Sequence, residues 1–270
     1  MWANNVDAGG ECPPEEVAVA APAIVLVAKG DDDPTVGAAF ASVTEQLRNA
    51  RPDLDVALGL LGAGDPSVLD SVSRLADAGS LEIALVPLDL VSAADHSPVV
   101  SEAQQVVQTA SSHVRVRIAR PIGPATELLN ILDVRVRQAL HRASALEVDA
   151  LVLAAPDGGD VRGSSLLARR ARQWAAHHKL PVQLAITDET GRATAAAIAS
   201  LRAQGRRHIA VGSLFLTHGP TFSAHQTAAK RAGAIAVTQP IGADPRLVEL
   251  ILARYAFAAM DLLDSEPFGD

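Results

Sequence analysis

Lysine, aspartate and histidine recur here in short stretches at spacings suited to holding small charged ligands. The first is Lys29-Gly30-Asp31-Asp32-Asp33-Pro34. Its lysine follows the apolar run Ala23 to Ala28, so a strand there would carry the ammonium into the crevice beyond its end, with Gly30 keeping the approach open. In that place it either pairs with the aspartates or meets an anionic ligand. Asp33-Pro34 also reads as the cap and first residue of a helix, whose positive end favours the other carboxylates. The second stretch runs from Val86 to Pro98 and contains Asp89, Ser92, Asp95 and His96. Asp95 and His96 offer one carboxylate and one imidazole to a divalent cation, or a general base near neutral pH, against the plainer role of capping the next helix. A third stretch, Phe215 to His225, stands in the equivalent place of the second half, with His218 three residues before Thr221, the counterpart of Asp95.

Other chemistries lack their signatures. Gly62-Ala63-Gly64 precedes a helix that Asp65-Pro66 would open, but Ser67 stands where a dinucleotide loop needs its third glycine. No GxxxxGK[ST] or GxSxG occurs, so no nucleotide cofactor and no serine nucleophile is expected. Eight aromatic residues, 3% of the chain, are too few for a stacking platform. The arginines, among them Arg115, Arg117, Arg120 and Arg170, suit carboxylate clamps, although surface ion pairs are the commoner use. His177 and His178 read as a solvated helix face.

These stretches need elements to hold them. With 270 residues, 49% hydrophobic, the chain has room for one large domain or two of about 120 residues. A net charge of −8 removes the attraction that dominates nucleic-acid affinity, so no nucleic-acid partner is expected. No run reaches eighteen apolar residues, so no membrane partner is expected either. Cys12 is the only cysteine, which excludes an intrachain disulfide and cysteine-cluster zinc sites and fits a cytoplasmic setting.

Eight apolar runs of strand length alternate with helical spacing: 23–28, 54–61, 81–88, 114–119, 149–155, 181–187, 208–216 and 234–239. That alternation predicts an α/β fold with parallel sheets. The second four repeat the first. Leu75-Ala76-Asp77-Ala78-Gly79 onward matches Leu201-Arg202-Ala203-Gln204-Gly205 at an offset of 126, and Pro121-Ile122-Gly123 matches Pro240-Ile241-Gly242 at 119, a deletion of seven. The expected organisation is a flexible tail over 1–22, a lobe over 23–133, a connecting helix over 134–148, a second lobe over 149–260 and a tail over 261–270. Each lobe is a doubly wound four-stranded sheet, and ligands belong in the cleft beyond the strand ends.

The duplicated lobes, the DP after strand 1, the DPS after strand 2, the VPL phrase after strand 3 and the PIG-plus-helix endings together resemble the class II tetrapyrrole chelatases, over about residues 23–258. The resemblance implies insertion of a divalent metal substrate, Co²⁺ or Fe²⁺, into a sirohydrochlorin-type polycarboxylate ring without ATP, with a downstream biosynthetic enzyme as a further partner. It also implies a histidine after strand 1, a glutamate after strand 2 and a histidine after strand 3. This sequence departs at each: the positions fall on Lys29, Gly62 and Asp95, with His96 one residue later. A chelatase with a changed ligand set would use His96 and Lys29 for catalysis and His96 with Asp95 for the metal. Lys29, Gly30, Gly62, Ser92 and His218 would contact the ring. The alternative is a catalytically inactive relative that carries or senses a tetrapyrrole or metal.

Overall fold

The structure is a computed structural model that describes residues 21–62, 64–95, 97–108 and 114–264. The first half runs β1 (Ala23–Lys29), α1 (Pro34–Ala50), β2 (Val56–Leu61), α2 (Val68–Asp77), β3 (Glu82–Pro87), α3 (Pro98–Gln108), β4 (Arg115–Ile118) and α4 (Glu127–Arg142). The second repeats it as β5 (Ala150–Pro156), α5 (Val161–His178), β6 (Val182–Thr187), α6 (Arg192–Ala203), β7 (Ile209–Ser213), α7 (Pro220–Arg231), β8 (Ala236–Val237) and α8 (Pro245–Leu263). The two sheets are ordered β2-β1-β3-β4 and β6-β5-β7-β8, and every pairing is parallel. Their registers correspond: Ala23 faces Ile83 in one and Ala150 faces Ile209 in the other.

β1 and β5 are central and buried on both faces, which is why they read as unbroken apolar runs. The edge strands are shorter than their apolar runs. β8 stops at Val237: the Thr238 N–H still bonds the Val211 carbonyl at 3.0 Å, but beyond it the Ser213 N–H turns to the Thr238 hydroxyl, which accepts it at 2.8 Å. Asp33 caps α1 as its sequence suggests, accepting the Thr35 N–H at 2.9 Å ahead of Pro34. At α2 the cap shifts. Pro66 still serves β2, its carbonyl accepting the Leu60 N–H at 2.8 Å, so Ser67 rather than Asp65 opens the helix and accepts from Asp70 N at 3.1 Å.

The helix expected to connect the lobes over 134–148 begins earlier and ends sooner, at Glu127–Arg142. It packs on β7 and β8 of the second sheet, while the final helix α8 packs on β3 and β4 of the first. The exchange is reciprocal in detail. Arg135 of α4 donates to the Ile241 carbonyl at 2.8 Å, and its counterpart Arg254 of α8 donates to the Pro121 and Ile122 carbonyls at 3.0 Å each. Both helices bury the same stripe, Leu128, Leu129, Leu132 and Val136 in α4 and Leu247, Val248, Ile251 and Tyr255 in α8. One apolar core therefore runs through both lobes.

Candidate functional site

The carboxyl ends of five strands converge on a cleft between the lobes with a volume of about 730 Å³. The first lobe supplies Lys29, Gly30 and Asp31 after β1, Leu88 to Val91 after β3, and Glu102 of α3. From the second lobe come Asp157 after β5, Asp188 and Glu189 after β6, and Thr217, Gly219 and Thr221 around the start of α7. Val36 and Phe40 of α1, with Leu214 and Phe215 after β7, give the floor an apolar surface.

Charge in the cleft is one-sided. Among the described residues six carboxylates line it, those of Asp31, Asp89, Glu102, Asp157, Asp188 and Glu189, against the single ammonium of Lys29. Asp89 is buried and accepts the N–H groups of Val91 at 2.8 Å and Ser92 at 3.0 Å, which bends the chain after β3 toward the second lobe. Asp188 accepts the Thr190 hydroxyl at 2.6 Å and its N–H at 3.0 Å, and these bonds hold its pKa below the usual carboxylate range. Asp31 reaches across the opening: a methyl group at Gly219 would lie 4.0 Å from its Oδ2 and 3.1 Å from Val36. Carboxylates on converging loops are suited to collecting a divalent cation.

The sequence-predicted residues part company here. Lys29 is exposed at the end of β1 and, with Gly30, lines the cleft. His96 lies outside the described residues. Asp95 faces a second hollow, of about 880 Å³, between α3, β4 and α8, where its Oδ1 stands 3.0 Å from Arg120 Nε. Gly62 adopts a left-handed turn, φ +70°, away from the cleft lining. Ser92 is fully buried, and its hydroxyl has no hydrogen-bond partner among the described residues. His218 is exposed beside the cleft with its ring edge-on to Phe222 at 5.1 Å, while its neighbours Thr217 and Gly219 form the lining.

Two groupings escaped the sequence reading. His225 is buried, its Nε2 2.9 Å from Ser213 Oγ and its Nδ1 2.8 Å from Thr194 Oγ1, with Phe215 stacked on the ring. Burial pushes this imidazole down to about 4, so it is neutral in the fold and fixes α6 and α7 against β7. The His178 imidazole, read from sequence as solvated, instead meets Asp133 of α4 at 2.7 Å. No local spacing announces either set, because their members lie on different elements.

The comparisons with known proteins agree with this geometry. Residues 23–139 match the sequence model of the CbiX family. No curated protein sequence matches the chain. Among solved structures, SirB from Bacillus subtilis with Fe³⁺ superposes with a TM-score of 0.70 at 18% identity, covering 92% of this chain and 100% of that one. The sirohydrochlorin chelatase SirB from Bacillus subtilis subspecies spizizenii, in complex with cobalt, gives 0.67 at 16% identity, covering 89% and 96%. CbiX, the terminal enzyme for biosynthesis of siroheme in denitrifying bacteria, gives 0.63 at 18%, covering 87% and 99%. Residues 23–139 thus resemble the CbiX family in sequence, and the chain as a whole shares the two-lobe fold of the SirB and CbiX structures.

Proposed function

We propose that the protein binds a sirohydrochlorin-type tetrapyrrole in the interlobe cleft and inserts a divalent metal substrate, Co²⁺ or Fe²⁺. The observation that carries this reading is the cleft itself, walled by strand ends of both lobes and lined, among the described residues, by six carboxylates and one ammonium. The similar SirB structures hold Fe³⁺ and cobalt, which supports metal handling in this fold.

Each charged group then has a role. The carboxylates raise the local concentration of M²⁺ and offer it hard oxygen ligands. Lys29 meets a carboxylate of the ring and orients it over the cleft. Insertion exchanges two pyrrole N–H protons for the ion, and carboxylates such as Asp31 and Asp157 accept those protons and release them to water. An acidic lining repels an anionic ring until the cation is in place, so the ion binds first.

One observation favours a second reading, an inactive relative that carries a tetrapyrrole or a metal. Among the described residues no histidine lines the cleft, and Lys29 stands where the resemblance implies an imidazole. An ammonium repels a divalent cation. A spectral titration decides between the two. Sirohydrochlorin and Co²⁺ mixed with the protein should show the absorbance change of insertion faster than without it. Ring binding without faster insertion supports the carrier, and no spectral sign of ring binding or faster insertion removes both the chelatase and the tetrapyrrole carrier.

A further inference from the structure

Away from the cleft, α4 packs on β7 and α5 on β6, with Trp174 of α5 reaching Gly212 of β7, and the two helices bring Asp133, His177 and His178 together. One ligand atom from each lies within 4.8 Å of the others. Asp133 Oδ1 is 2.7 Å from His178 Nε2, and its Oδ2 is 3.8 Å from His177 Nε2. Tetrahedral bonds of about 2.0–2.2 Å to nitrogen and oxygen place neighbouring ligand atoms about 3.3 Å apart. The two observed distances, one to each carboxylate oxygen, lie on either side of that value, and with all three ligand atoms within 4.8 Å of one another the side chains need close by no more than about 1.5 Å around an ion.

The surroundings match a metal-binding carboxylate. The buried Trp174 indole donates its Nε1–H to Asp133 Oδ1 at 2.6 Å and holds the group from behind, as outer partners of metal ligands do. The Asp133 side chain is only 15% exposed, and among the described residues no lysine or arginine pairs with it. A carboxylate so placed gains from a cation. Both histidines stand in the last turn of α5, whose negative end also favours positive charge. His177, with 68% of its side chain exposed, leaves a path for the ion and room for a water as fourth ligand. We infer that Asp133, His177 and His178 form a separate site for a divalent transition-metal ion, with Zn²⁺ the best match to two imidazoles and one carboxylate. On binding, the His178 Nε2–H proton moves to Nδ1, and the freed lone pair takes the metal in place of the hydrogen bond to Asp133. This site does not depend on what the cleft does.

Trp174 reports on the site directly. The chain has two tryptophans, Trp2 and Trp174, so Trp2→Phe leaves one emitter hydrogen-bonded to the ligand carboxylate. Titrating that variant with Co²⁺ should quench its emission saturably, and excess Zn²⁺ should restore it. His177→Ala and His178→Gln should each weaken the quench at least tenfold; His177 is exposed, so its removal leaves folding intact. Zn²⁺ should also raise the unfolding temperature of the parent and not of those variants. Quenching that is absent, or unchanged in both histidine variants, overturns the site. So does quenching that survives both but disappears in Asp31→Asn, which would locate the ion in the cleft.

Discussion

Asp160 Oδ2 accepts the backbone N–H of Ala94 at 2.8 Å, joining the start of α5 in the second lobe to the loop after β3 in the first. The same oxygen takes the Ala93 N–H at 2.8 Å, and Oδ1 caps α5 through the Gly163 N–H at 2.6 Å. Burial would raise this carboxyl, but backbone N–H donors from Ala94, Gly163, Ala93 and Arg162 outweigh it and hold the pKa below its ordinary 3.8. One side chain therefore begins a helix and fixes a wall of the cleft.

Asp160→Ala should destabilise the protein by about 2–3 kcal/mol, combining the lost cap with two charge-assisted bonds to the other lobe. Because the folded pKa is depressed, this contribution is complete above the unfolded pKa and is lost as pH falls through the folded one. Urea unfolding at pH 7 measures the loss. A change below about 0.5 kcal/mol, within the usual range for surface substitutions, would mean that the contact carries little.

Gly163→Ala tests the same junction by crowding. A methyl group there would stand 1.8 Å from the Val91 carbonyl oxygen, a backbone atom with no rotamer to change. Replacing glycine with alanine inside an exposed helix gains about 1 kcal/mol; here overpacking of about 1–3 kcal/mol or more should win and the protein should lose stability. A more stable variant in urea would show that the lobes do not meet so closely.

His225 makes stability depend on pH. Its folded pKa is about 4 against an ordinary 6.5, so between these values the unfolded chain binds a proton that the folded one refuses. The stabilisation is full above about pH 6.5 and falls by about 3 kcal/mol by pH 4. Comparing the parent with His225→Gln across that window isolates the effect from the carboxylates. Parallel stability curves would contradict a neutral, buried imidazole.

The eight strands, their repetition and the Asp33 cap were legible because they are local: apolar runs, a constant offset and a residue type beside a proline. The exchange of α4 and α8 was not. Arg135 and Arg254 occupy matching places on matching stripes, and an apolar stripe specifies the face to be buried without specifying which of two equivalent sheets buries it. In the site, Lys29 and Gly30 follow from the rule that ligands sit beyond strand ends, whereas Asp95 turned to Arg120, a partner 25 residues away. Ser213, His225 and Thr194 come from three elements, so nothing in their spacing reveals the network.

The exchanged helices predict that neither lobe folds alone. A chain ending after α4 lacks α8, which covers β3 and β4, and should be largely unfolded by circular dichroism. The full chain should melt in one cooperative transition. Two separate transitions, or a folded fragment, would contradict the shared core.

The rate of Co²⁺ insertion into sirohydrochlorin, measured for the parent and for Lys29→Glu, tests the cleft most directly. Lys29 is the one cation lining it among the described residues. The parent should insert the ion faster than the uncatalysed reaction, and reversing that charge should slow the gain at least tenfold. Equal rates for the parent, the variant and buffer alone, with no spectral sign of ring binding, would contradict the account.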